Sequence, residues 1–277
     1  MIKKLLVISI FLVSALYAGA LEDKIIAFEK KRLANNNKRM VVKKIKIIHK
    51  EEIKMPGWHA YILDIKIILL NRTTHIKDIL FTNGTLVATD LAQIDSGESL
   101  KKNISPKLND VFYNKAHLIM GNHKAKQKIV VFSDPLCKEC KTTLPQLIKH
   151  VKKNSDKMGL YYYHFPLEQV HPAALTLSKA MKVATKQGID DIWTKIYNTD
   201  FSKYFDVREK DDLLILNEFN KLFNTNITLG QIQNETIQEE ILSDKVMGNG
   251  VLVNETPAIY VNGIKDRTLQ KYKTLGK

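Results

Sequence analysis

The feature that most constrains this chain is a pair of cysteines, Cys137 and Cys140, which are the only two among its 277 residues. The residues just before the pair, 129–132, form an apolar and largely β-branched run that predicts a buried strand. The residues after the pair predict a helix, because four apolar side chains recur at the spacing of one helix face: Leu144, Leu147, Ile148 and Val151. The cysteines are therefore expected where a strand passes into a helix.

The residues at this junction favour a helix that begins just before the cysteines, so that the pair lies at a helix N-terminus. Ser133 and Asp134 are residue types that cap helix N-termini, and Pro135 suits the first helical position, where the missing N–H is not needed. The positive end of the helix dipole would then stabilise a thiolate at Cys137 and lower its pKa below the free value of about 8.5. Cys140, one turn further along, is expected to be more buried and to stay protonated. Cys137 is thus the predicted nucleophile and Cys140 the predicted resolving cysteine.

Three alternatives compete with redox exchange. A purely structural disulfide here would close a loop of four residues and would stabilise the fold by only about 2 kcal/mol. A zinc site would need a second cysteine pair or suitably spaced histidines, and His123, His150 and His164 show no such spacing, nor does His171. The cysteines could also be two unrelated reduced thiols. Redox exchange is the favoured interpretation, and neither a metal nor a cofactor is expected.

The N-terminus predicts export. Lys3 and Lys4 precede an apolar run over residues 5–17, which ends in the small residues Ala18, Gly19 and Ala20. This run is shorter than a bilayer requires, so residues 1–20 are interpreted as a signal peptide cleaved near Ala18 to Ala20, with an uncleaved anchor as the alternative. An oxidising compartment would let the cysteine pair cycle between dithiol and disulfide.

The formal net charge of +14 is spread along the chain. There is no dense lysine cluster with interleaved aromatic residues, which nucleic-acid binding would favour. A solvated, lysine-rich surface is the simpler interpretation, and no nucleic-acid partner is expected.

Residues 21–105 predict a small α+β domain. A short amphipathic helix over residues 21–33, with Leu21, Ile25 and Phe28 on one side, precedes strand-like segments at 41–53 and 58–70. Asn83 and Gly84 lie between two further short strands and are a strong signal for a hairpin. The segment has no cysteine, so a binding or dimer-forming role remains for it, and the pattern does not choose between them.

Residues 106–123 are interpreted as a linker that includes a helix, with Val111, Phe112 and Leu118 as its apolar residues. Beyond the cysteine helix, residues 160–165 predict a second strand, and strand, helix and strand in this order predict a parallel βαβ unit. Residues 172–250 then change to helical periodicity, and one face collects small and apolar residues: Ala173, Leu177, Ala180, Met181 and Ala184. We interpret 124–277 as one α/β domain with a helical insertion at about 172–250.

Four features together resemble the thioredoxin fold. The Cys137–Cys140 motif follows a Phe-Ser-Asp-Pro strand end, Pro145 lies five residues after Cys140, and Thr256-Pro257 precedes a late strand. The fourth is the order of the segments: export signal, N-terminal domain, linker and helical insertion. In this the chain resembles the periplasmic thiol-disulfide oxidoreductases of the bacterial Dsb system, and among them the dimeric DsbC/DsbG group.

The resemblance implies a periplasmic protein and assigns further roles. It implies that Thr256 and Pro257 form a loop, with Pro257 in the cis form, which faces the cysteines and receives an extended client segment. It also implies exported client proteins with disulfides, a membrane redox partner similar to DsbD or DsbB, and a homodimer formed through residues 21–105. Because residues 128–132 lack the buried acid of thioredoxins, Glu168 or water is expected to take the proton of Cys140.

Three functions remain open from the sequence. The favoured one is a disulfide isomerase or reductase, in which reduced Cys137 attacks wrong disulfides. The second is an oxidase that donates the Cys137–Cys140 disulfide. The third is a periplasmic chaperone or binding protein in which the cysteine pair is incidental.

Overall fold

The computed structural model describes residues 19–35, 40–69, 72–189 and 191–276. Nearly all of the predicted signal peptide, residues 1–18, lies outside the described residues. The chain divides into two compact units, of which the first ends at Ile104 and the second begins at Ser105. Within the described residues, no helix combines the length and the apolar character that crossing a membrane requires.

The first unit consists of a helix and an antiparallel sheet. The helix, α1, covers residues 19–35, and the sheet has the strand order β1-β2-β3-β4. Its strands are β1 (Met40–Glu52), β2 (His59–Leu69), β3 (Arg72–Thr82) and β4 (Val87–Ala88). The predicted hairpin is confirmed, because Thr82 of β3 pairs with Val87 of β4 around Asn83 and Gly84.

Alternation along β2 builds the core of the first unit. Successive side chains of a strand point to opposite faces, so four apolar residues of β2 share one face: Tyr61, Leu63, Ile65 and Ile67. They form one cluster with Ile25 and Leu33 of α1. The expected position of Phe28 in this face is wrong, because its side chain is 39% exposed. Glu29, one residue on, is fully buried instead, and Arg32 binds both of its carboxylate oxygens.

The second unit is a five-stranded sheet with helices between its strands. Its strand order is β5-β7-β6-β8-β9, and the strands are β5 (Leu118–Gly121), β6 (Gln127–Ser133), β7 (Met158–His164), β8 (Ala258–Val261) and β9 (Ile264–Asp266). The helices are α2 (Lys138–Lys153), α3 (Ala173–Lys186), α4 (Ile192–Asn198), α5 (Asp212–Phe223), α6 (Leu229–Ile232) and α7 (Glu235–Gly250). Strands β6 and β7 are parallel and are joined through α2, which confirms the predicted βαβ unit and with it the thioredoxin-like fold.

Strand β6 lies at the centre of this sheet and is covered on both faces. The four residues of the predicted strand, 129–132, are fully buried because they contribute alternately to two apolar clusters. One cluster contains the predicted face of α2, since Leu144, Leu147, Ile148 and Val151 are all buried in it. The central strand and this helix fix the place where the cysteines lie.

The helix predicted within residues 106–123 is wrong. This segment instead forms two 3₁₀ turns, Asp110–Tyr113 and Lys115–His117, followed by the edge strand β5. The side chains of Asn109 and Asn114 accept hydrogen bonds from backbone N–H groups two residues on, which favours short turns over a continuous helix. Leu118, which was expected in the helix, pairs with Tyr161 of β7.

The helices α3 to α7 lie between β7 and β8 along the chain. The predicted face of α3 is confirmed, since its small and apolar residues are fully buried: Ala173, Leu177, Ala180, Met181 and Ala184. The last part of the predicted helical insertion forms two separate helices, α6 and α7. The division occurs because the Asn234 side chain accepts a hydrogen bond from the backbone N–H of Thr236 and begins a new helix there.

Candidate active site

The two cysteines lie where β6 ends and α2 begins, and both are free thiols. The predicted helix start is wrong by several residues, because α2 begins at Lys138 and Cys137 itself is the N-cap residue. Ser133 is still the last residue of β6, and Pro135 lies in the turn between strand and helix. The Asp134 carboxylate accepts a hydrogen bond from the backbone N–H of Leu136 and so holds this turn rather than the helix.

Cys137 is largely covered but retains access to solvent. Its residue is 9% exposed, and its thiol donates a hydrogen bond of 3.0 Å to the backbone carbonyl of Thr256. A hydrogen bond from Cys140 lowers the pKa of Cys137 to about 6, against the opposing effect of burial. The Thr256 side chain and the backbone N–H groups of Glu139 and Cys140 lower this pKa further. Cys137 is therefore largely a thiolate at neutral pH, which is the reactive form of a cysteine.

Cys140 lies beneath Cys137 and is fully buried. Burial raises its pKa well above the ordinary value, and the neighbouring Cys137 raises it further. A hydrogen bond from the Ser133 side chain to the Cys140 sulfur lowers the pKa of Cys140 and so opposes these two effects. The two cysteines thus differ in the way that an attacking and a resolving cysteine require, although they belong to the same helical turn.

The second predicted part of the site lies beside the cysteines. The Thr256–Pro257 peptide bond is cis, and its Thr256 carbonyl accepts the thiol hydrogen bond of Cys137. The Thr256 hydroxyl is buried and has no hydrogen-bond partner in the described part of the chain. When Cys137 is a thiolate it has no hydrogen for the carbonyl, and this hydroxyl is then a donor beside the sulfur. The structure therefore brings Cys137, Cys140, Thr256 and Pro257 together.

Sequence reasoning missed a buried carboxylate at the site. Asp134 is fully buried, and its carboxylate accepts hydrogen bonds from the backbone N–H of Leu136 and Leu167. His171 lies 3.1 Å from the same carboxylate through its Nδ1 atom. This hydrogen bond raises the pKa of His171, and the charges of Asp134 and Cys137 raise it further, while burial lowers it.

Residues 128–132 indeed contain no acid, but Asp134, two residues further on, is a buried acid that follows the strand. The residue proposed to take the proton of Cys140, Glu168, instead forms an ion pair with Lys245. The two residues between the cysteines, Lys138 and Glu139, are both exposed to solvent.

A group of buried hydroxyls completes the site and was also missed. The hydroxyl of Tyr197 donates to Ser133 Oγ over 2.8 Å, and the hydroxyls of Tyr162 and Tyr197 are 2.5 Å apart. These side chains come from β6, β7 and α4, so their proximity depends on the folded sheet. The run Tyr161-Tyr162-Tyr163 was a sequence signal for a strand, and its alternation places Tyr162 alone on the face toward the cysteines.

The site offers sulfur, hydroxyl and carboxylate groups but no arrangement typical of a metal centre. Among the residues that the structure describes, no group of three or more histidine, cysteine, aspartate or glutamate side chains could hold a metal ion. The chemistry available at the cysteines is therefore that of a thiolate and a disulfide.

The region that holds this site matches a known family. Residues 113–277 match the family model described as Thioredoxin. A curated relative, the Na(+)/H(+) antiporter NhaA 1 of Mycolicibacterium vanbaalenii, is 22% identical over 162 residues, which cover 54% of this chain and 24% of the antiporter. The matched region is thus only about a quarter of that protein.

Parts of two solved structures also match this chain. BdbD from Bacillus subtilis, in its oxidised form, is 18% identical with a TM-score of 0.47 and matches 61% of this chain and 92% of its own. ScsC from Proteus mirabilis, in a transitional conformation, is 17% identical with a TM-score of 0.45 and matches 66% of this chain and 77% of its own.

The family match covers more than half of the chain and includes both cysteines, Thr256 and Pro257. The chain therefore belongs to the thioredoxin family, a class of thiol-disulfide oxidoreductases.

Proposed function

We propose that this protein is a Dsb-type thiol-disulfide oxidoreductase that acts on exported proteins as a disulfide isomerase or reductase of the DsbC/DsbG kind. The observation that carries the proposal is the contrast between Cys137, whose pKa is lowered to about 6, and Cys140, whose pKa is raised by complete burial directly beneath it.

The contrast assigns a role to each sulfur. The Cys137 thiolate attacks one sulfur of a client disulfide, forms a mixed disulfide with it and releases the other client sulfur as a thiolate. Cys140 then loses its proton and attacks Cys137, and the Cys137–Cys140 disulfide replaces the mixed disulfide. The client sulfur leaves as a thiolate and accepts a proton. The client disulfide is reduced by two electrons, and the protein dithiol is oxidised by two.

The loop at Thr256 and Pro257 is the proposed client site. Its carbonyl is aimed at the Cys137 sulfur, and its buried hydroxyl lacks a partner in the described part of the chain. An extended client segment can pair with exposed backbone groups as an added strand, and its sulfur is then held beside Cys137. Thr256 and Pro257 thus have a positioning role and the cysteines a chemical one.

The pKa of Cys137 supports the direction of the reaction. A lower pKa stabilises the reduced protein and makes the disulfide a stronger oxidant, as in DsbA with a pKa of about 3.5, whereas thioredoxin has about 7. The value of about 6 for Cys137 lies nearer to that of thioredoxin. This favours an isomerase or reductase. A disulfide-donating oxidase is the second candidate, because a pKa below neutrality still favours the reduced form of the pair.

The predicted segments give the proposal its setting. Residues 1–20 act as a signal peptide that delivers the protein to the periplasm, and 124–277 form the catalytic domain with its insertion at about 172–250. Residues 106–123, proposed as the linker, belong to the second unit and contribute β5 to its sheet. A membrane redox partner similar to DsbD would keep the pair reduced, and one similar to DsbB would keep it oxidised.

The domain at 21–105 is proposed to form a homodimer. Its strand β1 has 13 residues and lies at the edge of the sheet, with Val41 and Ile48 exposed by 50% and 43%. A long edge strand with exposed apolar residues is suited to pairing with a second copy. In light scattering on the full chain, we expect a dimer that Val41→Lys with Ile48→Lys converts to a monomer, whereas Val246→Lys, at an exposed position of α7, does not.

Thiol trapping in intact cells tests the direction of the reaction. Rapid acidification and alkylation should find Cys137 mainly reduced if the protein is an isomerase or reductase and mainly oxidised if it is an oxidase. A Cys140→Ala variant should accumulate mixed disulfides through Cys137, which identifies clients and the redox partner. The same variant with Cys137→Ala is the control and should trap none. If that double variant still reduces insulin and reshuffles ribonuclease disulfides, the redox assignment is wrong.

A further inference from the structure

Three hydroxyl groups lead from the interior of the second unit to the resolving cysteine. Ser133 Oγ contacts the Cys140 sulfur, the Tyr197 hydroxyl contacts Ser133, and the Tyr162 hydroxyl contacts Tyr197. All three residues are buried, with 0% exposure for Ser133 and 2% for each tyrosine. Water therefore does not compete for these hydrogen bonds.

Each hydroxyl has a single hydrogen, and this determines which hydroxyl donates in each of these hydrogen bonds. A hydroxyl has one hydrogen, and Tyr197 uses its hydrogen on Ser133. Tyr162 must then be the donor in its contact with Tyr197. Ser133, which accepts from Tyr197, keeps its own hydrogen for the Cys140 sulfur. Burial raises the pKa of both tyrosines, so each keeps its proton. Each member thus polarises the next one toward the sulfur.

The other ionisable groups around Cys140 do not replace this chain. Cys137, from the same helix, carries a negative charge and opposes a second one. The Asp134 carboxylate is held by His171 and by two backbone N–H groups, and Asp134 turns its backbone N–H toward the Cys140 sulfur. Ser133 of β6 therefore supplies the neutral side-chain donor to this sulfur, and Tyr197 of α4 and Tyr162 of β7 support it from behind.

We propose that Ser133, Tyr197 and Tyr162 form a hydroxyl chain that stabilises the Cys140 thiolate while it resolves the mixed disulfide. Ser133 touches a reacting atom and is a catalytic residue, whereas Tyr197 and Tyr162 act through it as positioning residues. This inference rests on the proposed function. In the step concerned, the bond between Cys137 and the client sulfur breaks, and the Cys140–Cys137 bond forms. The client sulfur receives the electron pair of the broken bond and, after it leaves, the proton that Cys140 gives up.

The hydroxyl chain should affect the second step of thiol-disulfide exchange, attack by Cys140, and not the first step, attack by Cys137. Attack by Cys137 does not involve the Cys140 thiolate. Formation of the Cys137–Cys140 disulfide, called ring closure here, depends on the fraction of Cys140 that is a thiolate. Loss of a hydrogen bond lowers the thiolate fraction, and the higher nucleophilicity of the remaining thiolate offsets part of that loss. We expect ring closure to slow about fivefold in Tyr197→Phe, about twofold in Tyr162→Phe and about tenfold in Ser133→Ala.

Rapid mixing of the reduced full chain with glutathione disulfide separates the two steps. Acid quenching, alkylation and mass spectrometry count the Cys137–glutathione adduct and the closed disulfide over time. The expected result is an unchanged second-order rate of adduct formation with slower closure, and a closure rate whose rise with pH is displaced to higher pH. Ser133→Thr, which keeps the hydroxyl, should restore closure.

Tyr163→Phe is the matched control. Tyr163 is a buried tyrosine of β7, the strand that also holds Tyr162, but its hydroxyl donates to the carbonyl of Phe112. Adduct formation and closure should therefore both keep their rates. If Tyr197→Phe and Ser133→Ala close at the wild-type rate with the wild-type pH dependence, or if Tyr163→Phe slows closure equally, the inference is overturned. If the wild-type protein itself forms no adduct, the proposed function fails instead, and the two failures are thereby distinguished.

Discussion

Both units of this protein bury polar groups, and they differ in how completely those groups are paired. In the first unit, the buried Glu29 receives two hydrogen bonds from Arg32, which also contacts Asp78, and Asp78 in turn binds Lys101 over 2.6 Å. In the second unit, several buried polar atoms have no partner among the described residues, including the Thr256 hydroxyl and both ring nitrogens of His164.

This difference indicates which kind of buried polar group is found next to a reactive site. An ion network in which every charge is paired holds a helix and a sheet in one arrangement and has nothing left to offer a ligand. The unpaired atoms found in the described residues all lie in the unit that holds the cysteines, and one of them lies beside Cys137. Burial of a polar residue is thus a weak sign of function, and burial without a partner next to a reactive group is a stronger one.

The largest effect is expected from breaking the paired network. Arg32→Ala leaves Glu29 buried without its partner and should destabilise the first unit by about 3 kcal/mol. The chain has two tryptophans, Trp58 in the first unit and Trp193 in the second. Urea unfolding followed by Trp58 fluorescence in a Trp193→Phe background should show this loss in the free energy of unfolding of the first unit.

The controls for this prediction separate structure from chemistry. Lys31→Ala, at an exposed position of the same helix, should change stability by no more than about 0.5 kcal/mol. The Arg32→Ala variant should keep the thiolate titration of Cys137, because the network takes no part in the site. A change in that titration would contradict the separation of roles between the two units.

The unpaired His164 should make the second unit sensitive to acid. Burial lowers its pKa well below the ordinary value of 6.5, so the folded protein holds this ring neutral. A group with a lowered pKa contributes stability above its unfolded pKa, and that stability is lost as the pH falls below about 6.5. The loss should approach about 1.4 kcal/mol for each pH unit.

Thermal unfolding between pH 7.5 and 5 measures this dependence. His164→Phe removes the titrating ring and should flatten the decrease in stability on the acid side. His75→Gln is the control, because the His75 side chain is 54% exposed and its removal should leave the slope as it is. An equal slope in wild type and His164→Phe would show that other groups cause the acid sensitivity.

The sequence was sufficient for the features that depend on local pattern. The buried run at 129–132 and the spacing of Leu144, Leu147, Ile148 and Val151 predicted β6, α2 and the position of the cysteines, because apolar periodicity is read along one segment. The resemblance to a known family added the loop at Thr256 and Pro257, which is 119 residues away from Cys137 and touches it.

The parts of the site that were missed depend on pairs that only the folded chain brings together. Asp134 was interpreted as a helix cap because aspartate favours that position, yet its carboxylate is bound by His171, 37 residues later. Tyr162 and Tyr197 meet at Ser133 from three different elements, and neither spacing nor periodicity reports such a contact. The helix expected near Val111 failed for a local reason that apolar periodicity does not report, since the Asn109 and Asn114 side chains each cap a short 3₁₀ turn.

His171 provides a smaller test of the contrast, because it is a paired histidine at the site. Its raised pKa keeps it partly protonated near neutrality, and its interaction with Cys137 must be reciprocal. His171→Asn should therefore raise the pKa of Cys137 and slow its alkylation at pH 6 about twofold to threefold. The stability that His171 contributes is present below pH 6.5 and is lost as the pH rises through its raised folded pKa.

The chain offers a matched control in a second histidine and aspartate pair. His117 Nε2 lies 2.7 Å from one carboxylate oxygen of Asp244, whose other oxygen accepts a hydrogen bond from the backbone N–H of His164 instead of a group at the cysteines. His117→Asn should leave the alkylation rate of Cys137 unchanged. Equal slowing in both variants would indicate a general loosening of the unit instead of an effect of charge.

The smallest effect is expected at the unpaired Thr256 hydroxyl. Thr256→Val keeps the shape of the side chain and the carbonyl that receives the Cys137 thiol, but it removes the donor that lowers the pKa of the sulfur. Alkylation of Cys137 at pH 6 should slow about twofold, and insulin reduction at that pH should decrease by a similar factor, because both reactions use the Cys137 thiolate. Thr256→Ser should restore both rates. If Thr256→Val is as reactive as wild type, then an unpaired buried hydroxyl beside a reactive sulfur has no chemical role here, and the distinction between paired and unpaired burial fails at the position where it should hold best.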